Sequence, residues 1–266
     1  MFAKLLKHEW RATRPVIGLL CAIILIAGIV LGGISYYLVN AGDRGDPMMV
    51  NVVCVLLLVA GMIAIAVCCA GSLCYVIYRF YKRCFTDEGY LTYTLPVNNH
   101  QILLSSISNC VLSELLTLLA ALAAICIAAA FYLAAIGQNQ EIIWADLWIR
   151  WDDVWQQLVD SFWKNIHQFA IVGFSGIFGA LAEIILLMLS VTIGSLIARK
   201  HKILAGAGSY FCIGMVESFL TSFLFVHITP DRTNLFLATP GILSIVIVIS
   251  GYFLIHWLTS KKLNLA

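Results

Sequence analysis

The chain is expected to be an all-α polytopic membrane protein with six transmembrane helices, and three observations predict this. Of its 266 residues, 62% are hydrophobic and 11% charged, against about 25% charged in soluble domains. Its mean hydropathy is +0.96, so lipid must be the solvent for most of its surface. Six stretches, at roughly 16–39, 48–75, 102–136, 169–197, 203–226 and 235–258, are apolar and long enough to cross hydrocarbon, which takes about 20 helical residues.

The first element is an N-terminal amphipathic elbow helix over residues 1–14. Phe2, Leu5 and Leu6 fall on one side with Trp10 near them, and Lys4, Lys7, Arg11 and Arg14 fall largely around the rest. Such a segment lies along a membrane surface, and Pro15 then opens the first span. That span is too long for the apolar part of a signal peptide and has no convincing cleavage site, so it is expected to stay in the mature protein. Gly42, Gly45 and Pro47 break the chain before the second span.

Between spans two and three lies a polar, aromatic segment over 79–97. It runs from Arg79, Lys82 and Arg83 through Asp87 and Glu88 to Thr92, Thr94 and a Leu95-Pro96 stop. Asn98, with Gln101 three residues on, is a capping-box start for the next helix. The segment reads as a short cytoplasmic helix handing off to a membrane helix. Span three is longer than a crossing requires and is expected to tilt or project.

The long connection at 137–168 carries Trp144, Trp148, Trp151 and Trp155 at steps of four, three and four, continued by Leu158 and Phe162. This is one face of an amphipathic helix built almost wholly of indoles. Tryptophan favours the headgroup region, where its ring is buried and its N–H still finds a partner. The face is an outer interfacial anchor or a dock for an amphiphilic substrate or second subunit.

Orientation follows from the basic residues. With the N-terminus inside, Lys4, Lys7, Arg11, Arg14, Arg79, Lys82, Arg83, Arg199, Lys200, Lys202, Lys261 and Lys262 are cytoplasmic. Only Arg44, Arg150, Lys164 and Arg232 are outside. Twelve against four is a positive-inside bias, and an even number of spans returns the C-terminus to the cytoplasm. The expected location is the cell membrane, multi-pass, with both termini cytoplasmic. None of the nine cysteines falls in an outside loop, and no Cys or His spacing suits zinc. No metal site is expected. The basic residues form small separated groups, so nucleic-acid binding is set aside.

Within the spans, Gly28 and Gly32 make GxxxG, and Gly173, Gly176 and Gly179 recur every third residue. Both are candidate seams for close helix packing, within the chain or between copies. Glu114, Glu183 and Glu217 interrupt apolar runs. A charge at mid-bilayer costs roughly 2.5–3.5 kcal/mol on insertion scales, so each must face protein or water, or be protonated. They line a transport path, or they are interhelical glue beside Ser113, Thr117 or Ser218. His256, near the inner end of the last span, reads as interfacial. No HExxH, recognisable Ser/His/Asp arrangement or GxxxxGK[ST] occurs. No catalytic residue is expected, and any ATP-driven function must borrow its motor.

The run from Thr86 to Ser105 resembles the cytoplasmic segment between spans two and three of ABC-2-type permeases, the membrane subunits of one class of ABC exporters. Glu88, Gly89, Thr92, Leu95, Pro96 and Val97 match that pattern. The layout is similar too, with a basic elbow, six spans and no ATPase domain, as in small permeases of Gram-positive drug- or peptide-export and immunity systems. Ser105 and Ser106 stand where members often carry a lysine. The stretch 227–240 leaves room for only a short form of the family's re-entrant helices.

The resemblance implies a non-catalytic permease without a cofactor of its own, ATP and Mg being bound by two partner ATPase subunits. A second permease, identical or related, would face it. Coupling would fall to Arg79, Tyr81, Lys82, Arg83, Phe85, Asp87, Glu88, Gly89, Tyr90, Thr92, Leu95 and Pro96. Arg199, Lys200, His201 and Lys202 would make a smaller contact. The substrate would be an amphiphilic peptide, drug or lipid. Two other classes stay open: a proton-coupled secondary transporter using the three glutamates, and a non-transporting membrane sensor or scaffold.

Overall fold

The computed structural model describes residues 2–44, 48–86, 89, 98–139, 155–157, 159–198, 201–227 and 233–261. It is all-helical among the described residues. The six long helices are α1 (Phe2–Arg44), α2 (Met48–Phe85), α3 (Asn99–Asn139), α4 (Ile166–Ile197), α5 (Lys202–His227) and α6 (Thr233–Lys261). Each is long and apolar enough to cross a membrane. Further helical residues at 155–157 and 159–164 precede a turn at Asn165.

Two expected boundaries are redrawn. Residues 2–14 are helical, but they run without a break into the apolar stretch, and Pro15 lies inside α1. Proline removes one backbone donor and one hydrogen bond, and the helix continues past that defect. Likewise 79–85 is the end of α2 and not a separate helix, because no breaker stands between Tyr75 and Phe85. The polar segment leaves the helix at Thr86, whose hydroxyl donates to the Lys82 carbonyl.

α3 begins where the sequence places it. The Asn98 carbonyl accepts from the N–H groups of Gln101 at 2.8 Å and Ile102 at 3.3 Å. Its 41 residues span about 60 Å at 1.5 Å per residue, well beyond a hydrocarbon core. α6 starts at Thr233 and carries Pro240 inside it. Most of the 227–240 stretch therefore belongs to the ends of two helices, and only 228–232 lies outside the described residues.

The chain divides into two compact units. One comprises Trp10–Val76 and Leu112–Val159, so it holds most of α1, α2 and α3. Its core is Ile24, Ala120 and Ala124, with Cys21, Ile65, Cys68, Cys69 and Ala121 packed around them. Membrane helices gain little from burying apolar surface against each other, because lipid is equally apolar, so close packing of small residues must hold them. The GxxxG pair does this. A Cβ on Gly28 would lie 2.6 Å from Ala124 Cβ, and one on Gly32 would lie 2.6 Å from the Phe131 ring. This seam joins α1 to α3 within one chain and is not available to a second copy.

The other unit comprises Met1–Glu9, Ile77–Val111 and Asp160–Ala266. Here α4 is central, packing on both α5 and α6, with Ile184, Ile185, Met188 and Leu189 buried. Its approaches again rest on small residues. Gly194 meets the backbone of Gly206 on α5, and Gly241 of α6 sits against Ser175, where a Cβ would lie 2.8 Å from the serine Cβ. The regular series at Gly173 and Gly176 has nothing within 4 Å, and Gly179 has only Ser244 Oγ at 3.9 Å.

Gly28→Ala should lower the stability of the full chain in detergent by about 1–3 kcal/mol, as overpacking does. Gly18→Ala, on the same helix with nothing within 4 Å, should be neutral or slightly stabilising. Paired denaturant titrations check this, and equal effects at both positions would contradict the seam.

Candidate functional site

The residues around the expected coupling segment form a buried polar cluster. Glu9 lies in the first part of α1, Arg83 in the last turn of α2, and Ser105 and Ser106 two turns into α3. Arg83 forms an ion pair with Glu9. Ser106 Oγ donates to Glu9 Oε1 at 2.9 Å, and Ser105 Oγ stands 3.4 Å from the same oxygen. Ser105 donates to the Ile102 carbonyl at 2.8 Å and is 3.4 Å from Arg83 Nη1, from which it accepts. One carboxylate therefore gathers Arg83 from the first part of the segment and two serines eight and nine residues beyond its end. The side chains are only 8% exposed at Glu9 and 18% at Arg83. A pair this dry is held by Coulomb attraction plus hydrogen bonds, because each charge alone would be costly to desolvate.

Local structure explains why Arg83 is present. A cation in the last turn of a helix meets the negative end of its dipole, and α2 places Lys82 and Arg83 there. Beside it Phe80, Tyr81 and Phe85 pack together, with Phe85 stacked on Tyr81 at 6.3 Å and edge-on to Phe80 at 5.9 Å. Phe80 and Phe85 are buried, and Lys82 is exposed. Gly89 is buried and donates its N–H to the Thr86 carbonyl at 2.7 Å. A Cβ there would lie 2.8 Å from the Cys84 carbonyl oxygen, so only glycine fits this turn.

Of the residues named for coupling, Arg83 packs against Glu9, and Phe85 packs against Phe80 and Tyr81. Arg79 and Tyr81 are half-buried, His201 is exposed and Lys202 half-buried at the start of α5. Asp87, Glu88, Tyr90, Thr92, Leu95, Pro96, Arg199 and Lys200 lie outside the described residues, as do Trp144, Trp148 and Trp151. Trp155 is described and exposed.

The three glutamates have different surroundings. Glu114 is reached from α2 by Ser72, whose Oγ lies 3.0 Å from Glu114 Oε1, 2.7 Å from the Cys69 carbonyl and 3.4 Å from Thr117 Oγ1. Ser72 and Thr117 are fully buried, so this is a polar tie between α2 and α3. Glu183 stands halfway along α4 and accepts the hydroxyl of Tyr210 on α5. Glu217, half-buried on α5, is near enough for its charge to interact with Glu183. Two carboxylates and a phenol thus meet in the middle of two apolar helices. Away from them, Ala170, Phe174, Ser175, Gly241 and Ile245 help line an apolar recess of about 380 Å³ between α4 and α6.

Sequence reasoning missed Glu9, Tyr210 and the role of Ser105 and Ser106. A signal for Glu9 existed, since it is the lone acidic residue before Asp43 in an otherwise basic N-terminal region. Among the described residues no group of three or more His, Cys, Asp or Glu could hold a metal ion, and all nine cysteines are free thiols.

Six apolar helices mark the chain as a multi-pass membrane protein. Comparison with known proteins adds no relative: no family model, curated protein or solved structure matches it.

Removing one partner of the buried pair should be costly. Glu9→Ala should destabilise the full chain by about 3 kcal/mol, since it strands a charge that is hard to desolvate. Glu9→Ala combined with Arg83→Leu should cost less than the sum of the two single variants. A double-mutant cycle read by denaturant titration measures this, and strict additivity would contradict the pairing.

Proposed function

We propose that the chain is the membrane-spanning permease of an ABC-2-type exporter, moving an amphiphilic peptide, drug or lipid with ATP hydrolysed on separate partner subunits. The observation that carries this reading is the Glu9 cluster. Arg83, in the α2 end of the polar segment, and Ser105 and Ser106, in the helix that follows it, hold the same carboxylate. A segment clamped at both legs can pass a push to its helices, whereas a slack loop would absorb it. The matched residues Glu88, Gly89, Thr92, Leu95, Pro96 and Val97 support the same reading, and the fit of Gly89 into its turn gives that glycine a physical reason.

In this mechanism two partner ATPases close on ATP and press on the segment carrying Asp87 and Glu88. The end of α2 and the start of α3 move together with the start of α1, because Glu9 ties them. Moving packed helices as rigid elements is a common way to switch a transporter's access. The bias of twelve basic residues against four supports a cytoplasmic position for this end of the helices. A second permease completes the path, which Glu183 and Glu217 border, and Glu114 holds α2 to α3.

A second reading rests on Glu183, Tyr210 and Glu217. Carboxylates at mid-membrane are the usual material of proton relays, and a proton-coupled transporter would use them without an ATPase.

Co-expression with an ABC ATPase separates the two. The full chain should co-purify with the ATPase and alter its ATP hydrolysis. Asp87→Lys with Glu88→Lys should abolish that effect while leaving membrane insertion intact. Transport driven by a pH gradient, with no ATPase bound, would decide for the second reading.

A further inference from the structure

We propose that His100, Tyr252 and His256 form a proton-sensitive clamp, fastening the first turn of α3 to the end of α6 when the imidazoles are neutral and releasing it when both are protonated. His100 is the second residue of α3. Tyr252 and His256 are one turn apart near the end of α6, so both can reach one neighbour. The rings of His100 and His256 are stacked, with centroids 3.6 Å apart and planes within 10°. Tyr252 extends the stack at 6.1 Å, and its hydroxyl lies 3.0 Å from His100 Nδ1.

The chemistry gives the direction of the switch. Two neutral imidazoles can lie face to face in van der Waals contact, and an unprotonated Nδ1 accepts the tyrosine O–H. Two imidazolium rings at that spacing repel each other; a protonated Nδ1 can still donate to the tyrosine oxygen, so repulsion between the rings is what opens the clamp. Nothing recorded among the described residues offsets this. The titratable groups facing the rings are Tyr252 on α6 and the two histidines themselves. α4 and α5, the elements packed on α6, bring no carboxylate recorded against either ring. His100 is exposed, so protons reach the stacked pair from water.

The clamp's consequence rests on the exporter reading, since α3 begins directly after the segment proposed to meet the ATPase. Opening it would free that leg and weaken coupling in an acidified cytoplasm. Its existence does not rest on that reading, because it is a contact within one chain.

The test is therefore made on the full chain alone, in detergent, without an ATPase. Genetically encoded spin labels at positions 104 and 253, both exposed, report the separation of α3 from α6. In the wild-type sequence the distance should lengthen on acidification, with a midpoint below that of a free imidazole, because the second charge enters beside the first. His100→Phe with His256→Phe keeps two stacked rings and removes the titration, so its distance should stay constant. His256→Phe alone should also stay closed, because a protonated His100 can rest on an aromatic face, and it serves should the double variant fail to fold. A wild-type distance that ignores pH would overturn the clamp, as would a Phe variant that follows the wild-type response. Failure of the exporter reading would appear separately, as an absent ATPase interaction.

Discussion

Glu9 holds together residues that are far apart in the chain and that its apolar helices could not align by themselves. Hydrophobic burial is non-directional, and in a bilayer it scarcely distinguishes a neighbouring helix from lipid. Direction must come from polar contacts and from small residues. The pair with Arg83, the hydrogen bond from Ser106 and the close approach of Ser105 fix the start of α1, the end of α2 and the start of α3. Replacing such a pair by apolar residues often costs nothing in stability, whereas breaking it is expensive. Its use here is positional, since it defines where the polar segment leaves one helix and enters the next.

The remaining helix contacts follow the same economy of means. Gly28 and Gly32 bring α1 onto α3, Gly194 brings α4 onto α5, and Gly241 and Gly251 bring α6 onto α4. Each puts a backbone where a side chain would collide. Polar ties are added sparingly, as with Ser72 at Glu114 and Tyr210 at Glu183. α4 is the most enclosed helix, while the most apolar windows of α2 and α5 bury no residue within the chain.

Much of this was legible beforehand. Hydropathy over windows of span length located all six helices, because lipid selects on composition alone. Asn98 marked the start of α3, and Gly28 with Gly32 marked a seam. What escaped was whatever depends on distance in space. Proline at position 15 argued for a boundary, yet a long helix runs through it. Nothing near Glu9 in sequence points to Arg83, and His100 meets His256 only because α3 and α6 come together there. Arg83 was named for coupling through the resemblance, and nothing in its neighbours along the chain announced its pair with Glu9. The tryptophan periodicity at 144–151 falls outside the described residues, so that face stands on its spacing alone.

The central claim is that the segment after Arg83 is the part of this chain touched by an ATP-driven motor. A photo-crosslinking amino acid at position 88, in the full chain in native membranes, tests it most directly, with position 104 on the exposed face of α3 as the control. The account predicts an adduct with an ATP-binding protein at 88, changed in yield by ATP, and none at 104. Adducts at 88 confined to lipid, or to proteins that bind no nucleotide, would contradict it.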